Sequence, residues 1–243
     1  MAAVSAALGA VSIPAFAANY ADFTINENSV AGTGGAANSA LVADRLNGLY
    51  TEVFTPVFTD ATHGTFSTTA RFNISAYYNN DVLVPGALGC GFGLCYNMYA
   101  DFVSTGTFTI VAGTVFFTGL TAGADLYVDP DQNIGTANTK LASTTTLVAG
   151  DGNFATGLAS GNFEIVFGDV SLTTDGEAFF VAPRPFYLTL DVNGNFTENP
   201  LEGRSVSGSA NAFFVPVPEP GSLALLGVGL LGVAASGRRQ RKA

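Results

Sequence analysis

The chain has 243 residues, 48% of them hydrophobic, with 20 Phe, 8 Tyr and no Trp, which is ample for a real core of one or two domains and argues against disorder. Charged residues are only 12%, and four of the nine basic ones, Arg238, Arg239, Arg241 and Lys242, crowd into the last six positions. Residues 18–218 therefore carry 18 acidic residues against five basic ones, a charge of −13 that repels nucleic acid and anionic lipid and leaves cations, neutral glycans and proteins as partners.

The N-terminus reads MAAVSAALGAVSIPAFAANYADF, an apolar run from Ala2 to Ile13 followed by Pro14 and then Ala15-Phe16-Ala17. Small residues at Ala15 and Ala17 fit the A-x-A pattern of signal peptidase, so residues 1–17 read as a signal peptide cut between Ala17 and Ala18. No Lys or Arg precedes the apolar run, so a start upstream of Met1 is expected.

Residues 18–47 are polar and Gly/Ala-rich, with a short strand candidate from Asp22 to Asn26. Period-two alternation then takes over. In TFSTTARFNISAYY, Phe66, Thr68, Ala70, Phe72, Ile74 and Ala76 form one row, opposite Ser67, Thr69, Arg71, Asn73 and Ser75. Similar runs follow at Tyr99 to Ala112, Thr114 to Thr118, Ala124 to Asp129, Lys140 to Val148, Gly152 to Ala159, Asn162 to Thr173, Glu177 to Val181, Phe186 to Val192 and Arg204 to Val215. Turn signals separate them: Ala112-Gly113, Thr121-Ala122-Gly123, Gly150-Asp151-Gly152, Ser160-Gly161-Asn162, Thr174-Asp175-Gly176 and Asn193-Gly194. Asn193-Gly194 is the strongest hairpin signal. The triplets GTF, GNF and GNF at Gly106, Gly161 and Gly194 have no fixed period and read as turn-plus-strand chemistry. The pattern predicts an all-β chain. Residues 18–214 form a single antiparallel β-sandwich or barrel-like domain of about ten strands, followed by one C-terminal apolar helix.

Chemistry-bearing residues are few. Cys90 and Cys95 enclose GFGL and, in an oxidising compartment, predict a disulfide across a short loop. His63 is the single histidine, so any His-based catalytic or metal site would have to rest on it alone, and it reads as a turn residue. YVDPDQNIGTA places Asp129, Asp131 and Asn133 at alternate positions, a spacing with which oxygens converge on Ca²⁺. An Asp-Pro turn explains the same residues, and Lys140 at position twelve rules out an EF-hand. Glu52, Glu164, Glu177 and Asp191 are the carboxylates a glycan hydrolase would draw on, with no spacing that marks a pair. Tyr77, Tyr78, Tyr96 and Tyr99 are the available sugar-stacking rings.

The C-terminus, VPVPEPGSLALLGVGLLGVAASGRRQRKA, holds an uncharged stretch of 17 residues over 221–237. As a helix it spans about 25 Å, just enough to insert in a bilayer, and the basic residues at 238–243 act as a positive-inside stop. Pro218-Glu219-Pro220, the Leu/Gly-rich span and Arg238-Arg239 together resemble the C-terminal sorting signal of PEP-CTERM proteins, over residues 215–243. The resemblance implies export and recognition of Pro218, Glu219 and Pro220 by an exosortase. The tail sits transiently in the inner membrane, and the mature form is delivered to the cell surface or beyond. LNGLYTEVF, LVPGALGCGFGLCYNMYADFVSTGTF and LYVDPDQ also look like segments of flocculation-associated PEP-CTERM proteins. That likeness implies a non-enzymatic part in retaining exopolysaccharide in flocs or biofilm. A Ca²⁺- or glycan-binding lectin-like module and a secreted glycan hydrolase are the alternatives.

Overall fold

The computed structural model describes residues 20–30, 40–85, 96–133 and 138–215. The signal-peptide junction at Ala17 and Ala18, the Cys90 and Cys95 pair, the PEP motif, the apolar tail and its basic stop lie outside the described residues.

Eight long strands build the body: β1 (Arg45–Phe58), β2 (His63–Asn79), β3 (Asn97–Val111), β4 (Thr114–Asp129), β5 (Thr146–Ala155), β6 (Ser160–Gly168), β7 (Thr189–Phe196) and β8 (Ser205–Val215). Each pairs antiparallel with the next in sequence, and β8 pairs back onto β1. The result is a closed up-and-down barrel, which settles the sandwich-or-barrel alternative. Closure satisfies the backbone groups that two edge strands would leave unpaired. The C-terminal helix expected from the sequence falls outside the described residues.

The alternation of β2 holds where it is clearest in the sequence. Phe66, Thr68, Phe72 and Ile74 are buried and Thr65, Ser67, Thr69, Asn73 and Ser75 are exposed. A bulge then sets Asn47 opposite Ala76 but Gly48 opposite Ile74, which slips the phase, so Tyr77 turns inward in place of Ala76. Aromatic side chains fill the inside, and Thr, Ser and Asn rows face out with Val, Leu and Phe116 among them.

The Gly-x-Phe triplets are not turns. Gly and Phe two positions apart point to the same side of a strand, and here that side is the interior. Gly64 lies opposite Phe108 while Phe66 lies opposite Gly106. Gly161 likewise faces Phe196 while Phe163 faces Gly194. Each ring occupies the space a side chain would take: a Cβ at Gly64 would come within 2.4 Å of the Phe108 ring, and one at Gly194 within 2.6 Å of Phe163. Asn193-Gly194 is therefore the middle of β7, not a hairpin. Gly150-Asp151-Gly152 likewise lies inside β5, and Thr121-Ala122-Gly123 is traversed by β4, which joins two predicted strands into one. Ala112-Gly113 does turn, with φ of +49° and +79° linking β3 to β4.

Predicted strand Glu177 to Val181 is overturned as well. Thr173 caps a short helix α1 (Thr174–Phe179), its hydroxyl oxygen accepting from the Gly176 amide at 3.0 Å, and only Phe180–Ala182 is extended. That extended segment, Phe23–Ile25 and Leu41–Ala43 form a small antiparallel sheet that plugs the barrel at the end where β8 finishes. Phe23, Phe180 and Phe186 pack their rings on Phe214 of β8, with centroids 4.8–5.5 Å away. Beneath them buried Glu27 accepts a 2.5 Å hydrogen bond from the Tyr96 hydroxyl, and Tyr77 donates to Met98 Sδ at 2.7 Å.

Candidate functional site

The Gly/Phe interlock fills the end of the barrel far from the plug, and the plug fills the near end. Between them lies a cavity of about 110 Å³. Phe54, Phe66, Phe102, Phe117 and Phe163 are among the rings that line it. Across three successive staves it carries one polar row, Glu52 on β1, Thr68 on β2 and Ser104 on β3. The Thr68 and Ser104 hydroxyls are 3.0 Å apart, and Thr68 also hydrogen-bonds the Glu52 carboxyl. Burial raises the Glu52 carboxyl above its ordinary range, and the Thr68 bond only partly opposes this. The Tyr50 hydroxyl, which donates to the Asn195 carbonyl at 3.2 Å, is also pushed up, by burial first and by Glu52 and Glu198 next.

A carboxyl raised in this way keeps its proton to higher pH when folded than when unfolded. Its stabilising contribution is present below the ordinary Glu range and is lost as pH rises through the raised value. Glu52→Gln is therefore expected to raise the denaturation midpoint at neutral pH and to leave it nearly unchanged at pH about 4. Urea titrations of both forms across that range check the sign.

The barrel wall is interrupted beside this cavity. The β4–β5 ladder ends at Thr118 opposite Asp151, and on this edge β4 resumes pairing only at Ala124, opposite Thr144 of the extension strand Thr139–Thr144. Gly119, Ala122, Leu147 and Gly150 lie along this unladdered seam, and all four line the cavity.

Outside, the far halves of β1 to β4 present a face without charge. Thr55, Thr65, Ser67, Thr105 and Thr107 are exposed, with Val53, Val57, Val103, Phe116 and Leu120 beside them. Hydroxyls approach one another across strands, Thr105 and Thr121 at 2.7 Å. Apart from Asp60–His63 and Glu202–Arg204 in the connections of the far end, the ion pairs gather on the plug-side half. Arg71 grips Asp101 through two bonds of 2.7 and 2.8 Å, Lys140 pairs with Asp125 at 2.8 Å, and Arg45 with Asp81 at 2.9 Å. Arg204 pairs with Glu202, and Arg184 donates to the Glu177 carbonyl. Every basic residue among the described residues thus has a partner.

Several residues singled out from sequence do not assemble into sites. Asp129 and Asp131 both accept from the Asn133 amide at 3.1 Å, closing the turn on itself. Burial and the neighbouring Asp131 raise the Asp129 carboxyl. Among the described residues no three His, Cys, Asp or Glu side chains are grouped to hold a metal. His63 sits at the exposed β1–β2 tip, its Nδ1 3.0 Å from Asp60, whose carboxyl is pulled down to about 2 by hydrogen bonds from the Thr62 amide and His63. Glu52 points into the barrel and Glu177 belongs to α1, while Glu164 and Asp191 share the outside of β6 and β7, where burial first and Glu164 next raise the Asp191 carboxyl, so the four carboxylates do not converge on one place. Tyr77 and Tyr96 are core residues, Arg45 covers Tyr78 at 4.5 Å, and Tyr99 lies between Arg71 at 4.4 Å and Tyr127 at 5.1 Å. These tyrosine faces are already occupied. Thr68 and Ser104 carry no motif that marks them in the sequence, although a polar residue in the inward phase of a Phe-rich strand is a signal for a lined cavity.

The family model of the PEP-CTERM protein-sorting motif matches residues 216–240, directly after β8. No curated protein and no solved structure matches the chain. The matched motif marks the chain as an exported protein and exosortase substrate, processed at the membrane.

Proposed function

We propose that this exosortase-sorted protein serves outside the cell as a non-enzymatic barrel that binds and organises extracellular polysaccharide, holding cells in flocs or biofilm. The charge-free Thr/Val face on β1 to β4 carries this reading. Hydroxyls beside methyl groups complement a sugar ring, which itself alternates hydroxyl and C–H. The face suits a neutral glycan, because the body is strongly acidic and its described cations are already paired.

Thr65 and Thr107 lie directly opposite one another on that face. Replacing both by Glu places like charges in water, at a small cost to the fold, and is expected to weaken binding of purified exopolysaccharide about tenfold, or about 1.4 kcal/mol. Far-UV circular dichroism checks the fold and calorimetry the affinity. Deleting residues 217–243 is expected to abolish cell aggregation by denying the barrel its delivery. Undiminished affinity in the Glu pair, or normal flocculation of the deletion strain, removes the reading.

A further inference from the structure

We propose that the barrel interior is a binding site for a small, neutral, apolar molecule bearing one hydroxyl group, admitted through the seam between β4 and β5. The proposal rests on the cavity alone and is independent of the polysaccharide reading, which concerns the other side of the wall.

An eight-stranded barrel is just wide enough for its side chains to fill it or for one small ligand to sit inside. Here both ends are packed and the middle is not. The two ends use the same means: rings from one stave lie in spaces left by glycine on the next, or in the aromatic plug. The middle stave positions instead carry Glu52, Thr68, Ala70 and Ser104 facing a half-circle of Phe rings. Water needs several polar partners to occupy such a room, and here the inward-facing polar side chains lie along a single row, with exposed Thr121, Asp151 and Asn162 only at the rim, so an apolar body is the better occupant. With about 10–15 Å³ of this kind of space per water, a 110 Å³ room holds a molecule of roughly eight heavy atoms.

The row selects the head group. The Thr68 and Ser104 hydroxyls, 3.0 Å apart, each donate and accept, so the complement is a group that also does both. A hydroxyl qualifies. An ammonium group, which only donates, would have to shed its own water among the Phe rings of the wall. Access follows from the ladder: between Thr118 and Ala124 no strand pairing holds β4 to β5, so the two can part there without breaking a row of backbone bonds.

Protein recovered from outside the cell is titrated with benzyl alcohol, toluene and benzylamine while its thermal unfolding is followed. Benzyl alcohol is expected to raise the unfolding midpoint at millimolar concentration. It should bind about fivefold more tightly than toluene, the worth of one buried neutral hydrogen bond. Ala70→Phe, which fills the room from β2, is expected to abolish both shifts, and Glu52→Leu to reduce the alcohol to the level of toluene. Absence of a shift with alcohol and toluene, a full shift in Ala70→Phe, or benzylamine binding more tightly than benzyl alcohol at neutral pH overturns the proposal. If Ala70→Phe does not fold, Glu52→Leu decides alone: an unchanged preference for the alcohol places the molecule elsewhere.

Discussion

Phe214→Ala is expected to cost about 4 kcal/mol, as befits the loss of a fully buried ring. The ring is 1% exposed and belongs to β8, yet it makes its closest ring contacts with the plug, to Phe186 at 4.8 Å and to Phe23 at 5.3 Å. Its removal leaves a cavity that neither the stave nor the plug can collapse into, because both are held by their own ladders. Hydrogen exchange separates two outcomes. If Phe214 joins plug to barrel, the amides of residues 23–25 and 180–182 lose protection before those of β2 and β3. Uniform loss across the molecule would show that plug and barrel are one cooperative unit.

Gly161→Ala is expected to cost about 3 kcal/mol, at the upper end for an added methyl in a packed interior. Its Cβ would lie 2.4 Å from the Phe196 ring and 2.7 Å from the Asn153 carbonyl oxygen. The ring can be relieved and the carbonyl cannot. In a Phe196→Leu background the same Gly161→Ala change should therefore cost about 1 kcal/mol less than it does alone. Strict additivity of the two substitutions, measured by urea denaturation, would mean that the interlock of small and large residues contributes nothing to stability.

The same interlock explains which parts of the fold are legible in the sequence. Alternation in TFSTTARFNIS marks β2 because every second residue is buried by the same wall, a local property. Gly161 and Gly194 mislead because a glycine needed for a turn and one needed to admit a ring look alike in sequence. What distinguishes them is the Phe on the neighbouring strand, placed by register and not by adjacency. The cavity is hidden for a related reason. Glu52, Thr68 and Ser104 are spread over three strands, and Phe163, which faces them, comes from a fourth. The tyrosines counted as sugar platforms are lost to cations and rings that only the closed sheet brings over them. The sorting tail is legible from beginning to end, since its three parts are consecutive in the chain and act as a linear signal.

The direction of β8 has one more consequence. Its last residue, Val215, pairs with Thr189 at the plugged end, so the sorting segment begins there. The Thr/Val face occupies the opposite half, around the tips at residues 59–62 and 112–113. The segment that an exosortase reads and the Thr/Val face therefore start from opposite ends of the barrel, so a partner seated on the face leaves the exit of β8 uncovered.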